Sequence, residues 1–144
     1  MAFYEVVVDG AARGIDEYSL GEGAAAVAIY RNKKLIGQYA RGLGRVNNNQ
    51  AEYEALLLGL IIAWAADLKN PVIYSDSTLV VNQVNGVWKC TQETLRPLLL
   101  SVWEIQDDFH FALQHVPRRY VSKADGLAKA FLDKLQNARE KKGL

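Results

Sequence analysis

The stretch QAEYEALLLGLIIAWAADLKNPVIYSD, residues 50–76, decides the fold. Its first part, Gln50 to Leu68, is rich in Ala and Leu. Apolar residues lie nearly all round it, which predicts a buried helix. Asn70-Pro71 ends that helix, because proline lacks the amide a helix needs and restrains the residue before it. Val72 to Ser75 then reads as a short strand that runs into Asp76. Upstream, Phe3 to Asp9 (FYEVVVD) is β-branched and aromatic and reads as a strand that also ends in an aspartate. A strand, long helix, strand crossing is right-handed, so Val72–Ser75 is expected parallel to Phe3–Asp9 in one sheet. Ligand chemistry in such sheets sits outside the carboxyl ends of the strands.

The remaining elements fall around this crossing. Gly10 to Gly23, rich in Gly, Ala and acids, reads as a loop. Ala24 to Tyr30 is a second strand, Asn32–Lys33 a tight turn, and Lys34 to Arg41 a third strand, together an antiparallel meander. Asn47-Asn48-Asn49 is a helix-start signal in which Asn48 or Asn49 is expected to cap. Ser77 to Asn85 reads as a short helix. Gln92 to Gln106 reads as another, with Pro97 tolerable only near its first turn or at a kink. Phe109 to Val116 alternates like a strand, Pro117 to Lys123 is a basic loop, and Ala124 to Leu135 is a helix that frays into a charged tail. The order β-β-β-α-β-α-α-β-α predicts an α/β fold: a five-stranded mixed sheet, antiparallel meander plus parallel strands, flanked by helices. The whole of 1–144 is expected to be a single domain, with the fold core over about 3–135 and the tail over 136–144.

Composition narrows the class. The 144 residues are half hydrophobic, with 17 Lys+Arg against 16 Asp+Glu and a net charge of +1. Such a chain can bury a core without a metal or disulfide staple and is not disordered overall. Cys90 alone excludes an intramolecular disulfide framework and a Cys-cluster zinc site. His110 and His115 are too few for a His-rich one. The longest apolar run, Ala55 to Ala66, is broken by Gly59 and too short to span a membrane. The opening MAFYEVVVDG has no basic leader, so the expectation is a soluble protein of the cytoplasm with no membrane partner.

Charge is segregated along the chain. Residues 1–30 carry five acids and one base, net −4, whereas residues 31–45 carry five bases and no acid. Arg118, Arg119 and Lys123 form a second basic cluster, and the segment from Lys129 onward a third. Such a chain can hold cations in one place and phosphates in another, or simply present solvated faces.

Four carboxylates stand out by position. Asp9 and Asp76 end strands, Glu52 lies about one turn into the apolar helix, and Asp125 begins the last helix. Singly, each has an ordinary explanation. Asp9 and Asp76 form turns, Glu52 completes a capping box from Asn49, and Asp125 favours a helix N-terminus. Together they would repel one another without cations, and their hard oxygens suit Mg2+ or Mn2+. Two such ions, about 3.5–4 Å apart, activate water and stabilise a leaving oxygen at a phosphodiester.

The segments VVVDG (6–10), NNNQAEYEAL (47–56), YSDSTLVVNQVNG (74–86), HVPRR (115–119) and ADGLA (124–128) resemble the ribonuclease H type 1 family. The resemblance covers about Tyr4 to Leu135 and is nearest to the short forms without an inserted basic arm. It implies a ribonuclease H-like fold and an endonuclease that cuts the RNA strand of RNA–DNA hybrids, leaving 5′-phosphate and 3′-hydroxyl ends. It assigns two metal ions, Mg2+ or Mn2+, to Asp9, Glu52, Asp76 and Asp125. Asn48, Asn49 and Gln83 match the family's hybrid-contacting amides, which suit 2′-hydroxyls and minor-groove acceptors. Trp88 is a candidate for stacking on sugars or bases of the DNA strand, or for covering the helix below it. Trp64 and Trp103 are assigned to the core. The expected partner is the hybrid, with double-stranded RNA open as a further one, and the chain is expected to act as a monomer. The alternative is a non-catalytic nucleic-acid-binding module on the same fold.

Three departures from the family stand out. The stretch GAARGIDEYSLGEGAA after Asp9 is longer and more acidic than the usual turn, which bears on how substrate or a second metal enters. Val84 to Thr94 leaves no room for a basic arm. The loop Pro117 to Lys123 has no histidine, so Arg118 or Arg119 is the stand-in, Arg118 in a catalytic role and Arg119 on substrate. Their contribution is electrostatic, since a guanidinium does not shuttle protons near neutrality. His115 is read as structural.

Overall fold

Alternation along the first strand sets up two layers. In the computed structural model, which describes residues 2–143, Val6 and Val8 of β1 (Tyr4–Arg13) pack on one side and Val7 on the other. β1 pairs antiparallel with β2 (Gly21–Arg31), and β2 with β3 (Lys34–Val46). β4 (Val72–Ser75) lies parallel to β1, and β5 (Ala112–His115) parallel to β4, giving the order β3-β2-β1-β4-β5. The parallel register Val7↔Tyr74, continued two residues, sets Asp9 level with Asp76.

Helices α1 (Asn48–Ala65), α2 (Thr78–Val84) and α3 (Arg96–Asp108) cover the Val6–Val8 side. Tyr53, Leu56 and Leu60 of α1 are fully buried there against Val27, Ile29 and Ile73. Gly59 makes the contact close: a Cβ at this position would stand 2.6 Å from Val8 Cγ1. Helix α4 (Ser122–Lys141) covers the other side with Ala124, Ala128 and Leu132, four residues apart, against Ala24, Ala26 and Ala28. Small residues on both surfaces bring that helix near the sheet. No helix among the described residues is long and apolar enough to cross a membrane.

The meander, the parallel crossing and β4 itself match the sequence reading. The turn Asn32–Lys33 has both residues in the left-handed region (φ 49° and 70°), as a two-residue hairpin turn requires.

Other expectations are corrected. Gly10 to Arg13 and Gly21 to Gly23 are strand, not loop. They pair from Gly10↔Ala25 to Arg13↔Glu22, because ladder hydrogen bonds outweigh the weak β-preference of Gly and Ala. The acids after Asp9 are tied down: Asp16 accepts from the amides of Tyr18 and Leu20 and pairs with Arg45. α1 is capped by Asn47, which exchanges hydrogen bonds with Gln50 in a capping box. Neither Asn48 nor Asn49 caps it, and Glu52 is free of that role. The apolar pattern of α1 also does not mean burial all round, since Ile61 and Trp64 are exposed. Trp64 and Trp103 lie at the surface. The first stacks on Phe109 and the second donates its indole N–H to the Val84 carbonyl at 3.0 Å. α3 begins only at Arg96, so Pro97 falls in the first turn, where its missing amide costs nothing.

α4 does not fray at Leu135 but continues to Lys141. Arg13 pairs with Asp133. Arg139 meets Glu22 as an ion pair rather than an aligned hydrogen bond. These partners lie more than a hundred residues away in sequence, out of reach of any local pattern.

The capping assignment has a direct check. Asn47→Ala should lower unfolding free energy by about 0.5–2 kcal/mol, while Asn49→Ala, at an exposed position, should change it by less than about 0.5 kcal/mol. Urea melts of the two variants measure the difference.

Candidate active site

β1 passes under the first turns of α1 at Gly10. A Cβ there would stand 2.1 Å from the Ala51 carbonyl oxygen, so no other residue permits the approach. The approach lets the Gly10 amide donate to Glu52 Oε1 at 2.5 Å, pinning a helical carboxylate to the strand beside Asp9. The ladder between β1 and β4 stops at Val7↔Tyr74, which leaves the strand edge beside Asp9 unpaired by β4. Asp76 enters that gap directly after β4. Its backbone is set by Ser75 Oγ, which accepts from the Ser77 amide at 3.1 Å, and by Ser77, which caps α2 through the Val80 amide at 3.2 Å.

One oxygen each from Asp9, Glu52 and Asp76 lies within 4.8 Å of the others, the one such ligand group among the described residues. Asp125, in the first turn of α4, comes from the other layer close enough to perturb the Asp9 carboxyl. The structure therefore groups three of the four carboxylates picked out in the sequence, with Asp125 acting on Asp9 from α4.

The electrostatics are those of crowded anions. Burial first, then the charge of Glu52, the hydrogen bond with Asp125 and the charges of Asp76 and Asp125, push Asp9 up to about 9. Burial likewise pushes Glu52 up to about 8, partly offset by the Gly10 amide. Asp125 behaves oppositely. Burial disfavours its charge, but Lys129 Nζ at 2.8 Å, the Asp9 hydrogen bond and Arg118 outweigh that and hold it below the usual carboxylate range.

Asp76 Oδ1 is buried with no hydrogen-bond partner, while Oδ2 receives Arg118 Nε at 3.3 Å. A buried lone carboxylate oxygen, facing two carboxyls driven toward their neutral forms, is a site lacking positive charge. Hard oxygen donors without nitrogen or sulfur fit Mg2+ or Mn2+.

The other candidates are more scattered. Asn48 and Asn49 are exposed in the first turn of α1, the helix that carries Glu52. Gln83 is 1% exposed, and its amide is used internally by the Tyr53 hydroxyl at 2.6 Å, the Lys89 carbonyl and Gln92. It braces α2 against α1 through the Tyr53 hydroxyl. Trp88 is half-exposed beside Val87 and Trp103. Arg118 is 85% exposed, and the Arg119 guanidinium sits over the Tyr120 ring at 5.0 Å. His115 is exposed and bonds Thr78 Oγ1 at 3.2 Å, tying β5 to α2. Of the basic run 31–45, Lys33 and Arg45 are engaged by Glu5 and Asp16.

Sequence reasoning missed two contributors. Gly10 was visible as a glycine directly after a strand-end aspartate. Lys129 was visible as a base four residues after Asp125, the spacing that places two side chains on one helix face.

A sheet of this order with acids from β1, α1, the end of β4 and α4 defines the ribonuclease H-like class. The family described as "Reverse transcriptase-like" matches residues 8–131. Ribonuclease HI of Halobacterium salinarum is 33% identical over 129 residues, 87% of this chain, and the chain spans 62% of that relative's length. The crystal structure of RNase H1 from the same archaeon superposes with a TM-score of 0.84 at 30% identity, covering 91% of this chain and 98% of that one. LC11-RNase H1, solved in complex with RNA/DNA hybrid, gives 0.83 at 27% identity, covering 92% and 99%. The chain belongs to the ribonuclease H type 1 family.

The raised carboxyls fix a pH dependence. In the unfolded chain Asp9 and Glu52 release protons near 4, whereas in the folded chain they hold them to about 9 and about 8. The folded state thus binds more protons over that window, and this part of the stability falls as pH rises through it. Asp9→Asn should therefore raise the melting temperature of the metal-free protein by a few degrees at pH 8 and not at pH 4. Thermal melts at the two pH values check the sign.

Proposed function

We propose that this protein is an endonuclease that hydrolyses the RNA strand of RNA–DNA hybrids, leaving 5′-phosphate and 3′-hydroxyl ends. The observation that carries the reading is the convergence of Asp9, Glu52 and Asp76 within 4.8 Å, with Asp125 alongside. It is supported by the hybrid bound to LC11-RNase H1. The reading includes two divalent ions, Mg2+ or Mn2+, action as a monomer and a place in the cytoplasm.

Asp9, Glu52, Asp76 and Asp125 would hold the ions. When bound, these supply an activated water and neutralise charge at the scissile phosphodiester. The chain's own groups do the rest. Gly10 holds Glu52 at a fixed angle, so one carboxylate is preorganised before substrate arrives. Lys129 draws Asp125 toward its own helix and keeps it ionised. Arg118 rests on Asp76 while largely exposed, which puts a guanidinium with free donors where a phosphate would sit. Exposed Asn48 and Asn49 can both donate to and accept from a 2′-hydroxyl, the group that separates RNA from DNA. Trp88 offers a ring face to the DNA strand and Arg119 a second cation to the backbone.

Two experiments test this. Labelled RNA–DNA, RNA–RNA and DNA–DNA duplexes are incubated with and without magnesium. Cleavage of the hybrid only with metal is expected, and Asp9→Asn should remove at least about a thousandfold of it, about 4 kcal/mol. Equal cleavage in excess chelator would sink the metal-dependent reading. In steady-state kinetics on one hybrid, Arg118→Ala should lower turnover by roughly ten- to a hundredfold, about 1.4–2.7 kcal/mol. Arg119→Ala should cost less, and His115→Ala should act on the melting temperature rather than turnover.

A further inference from the structure

α4 leaves one end of its sheet face uncovered. From Asp125 the helix runs toward the β1–β2 loop, where Asp133 meets Arg13 and Arg139 meets Glu22. In the other direction Glu5, Val7, Tyr30, Tyr74, Val116 and Tyr120 surround a cavity of about 360 Å³, with Lys33 at its rim. That volume lies within the usual range for small-molecule sites.

Its chemistry is specific. Glu5 is 8% exposed, yet its carboxylate belongs to no part of the proposed nuclease site. The Lys33 ammonium straddles both Glu5 oxygens at 3.0 and 3.2 Å, but its side chain is 74% exposed and free to swing. The rest of the lining is Tyr30, Tyr74 and Tyr120 with Val7 and Val116, the Tyr74 hydroxyl lying near Glu5. Tyrosine rings present flat apolar faces on which a planar ring can stack.

We propose that this cavity binds a guanine base. Guanine carries two adjacent N–H donors, N1–H and the 2-amino group, which match the two oxygens of one carboxylate in parallel hydrogen bonds. The neighbouring O6 is an acceptor, which matches the Lys33 ammonium. Adenine presents a bare N1 acceptor to the carboxylate and is rejected. Cytosine and uracil lack adjacent paired donors flanked by an acceptor. The 3₁₀ turn Arg118–Val121 carries both Tyr120 at the cavity and Arg118 on Asp76, so a bound base bears on the segment that reaches the carboxylates. The guanine has two sources, a free nucleoside or an unpaired base of a bound strand.

The test uses the intact, metal-free protein, so it reads binding without strand cleavage and its failure leaves the nuclease reading standing. Amide shifts of Val7, Tyr30 and Tyr120 are followed by NMR during titration with guanosine, inosine and adenosine. Guanosine should bind with a dissociation constant of about 0.1–1 mM. Inosine, which lacks the 2-amino group, and adenosine should bind at least about tenfold more weakly, since each leaves a buried polar group unpaired. Glu5→Gln should abolish the preference. Tyr120→Ala, at an exposed position, should weaken guanosine binding severalfold with the melting curve unchanged. Equal response to guanosine and adenosine, no response at several millimolar, or a response that both variants leave intact overturns the proposal. Single-stranded tails on a hybrid then separate the sources. Displacement of guanosine by a guanosine tail but not an adenosine tail assigns the site to substrate, and displacement by neither assigns it to the free nucleoside.

Discussion

The approach of α1 to β1 at Gly10 is the constraint on which the site depends. A strand and a helix normally keep a side chain's thickness between their backbones. Here the separation is small enough that a single Cβ would collide with the Ala51 carbonyl. The same proximity turns the Gly10 amide into a donor for Glu52, so one contact sets both the layer spacing and the aim of a carboxylate. Gly59 repeats the device a few turns along, against Val8. With the helix axis fixed at two points, Glu52 can hold its position against the anions around it.

The charges are arranged in graded fashion. At the centre, Asp9 and Glu52 are pushed toward their neutral forms and Asp76 keeps an unpartnered oxygen. At the margin, Lys129 and Arg118 compensate Asp125 and Asp76. Further out, Asp16, Glu22 and Asp133 are paired with Arg45, Arg139 and Arg13. The acidic excess of the first thirty residues is thus not one field. Of its members Asp16 and Glu22 hold the hairpin to its neighbours, and Asp9 alone faces the cation site.

Much of this was legible from the residues alone. The apolar run before Pro71 and the β-branched runs ending at Asp9 and Asp76 were enough for the parallel crossing, because handedness leaves one arrangement. The four acids were recognisable as a set for the same reason. Elements whose stability comes from distant partners were not legible. Gly10–Arg13 has no strand propensity and becomes strand through its ladder with Glu22–Ala25. The end of α4 is held by residues of the first hairpin. Gln83 has a surface residue's chemistry and a core residue's burial, since the partners that satisfy it include Tyr53 and Gln92. Trp64 and Trp103 erred the other way, because a large apolar residue on a helix is not bound to face inward.

The pairing of Arg13 with Asp133, 120 residues apart, also shows how non-local the contacts around the site are. The β2–β3 hairpin closes over two residues and gives up little chain entropy. α1 forms locally. The parallel joining of β4 to β1, and still more the docking of α4, must wait for long loops to close. Residues 9, 52, 76 and 125 come from four separate parts of the chain, so their meeting depends on those long closures. A partly folded chain holds its carboxylates apart, with no shared place for a cation. A shared place for a cation is therefore a property of the assembled fold and of no single element.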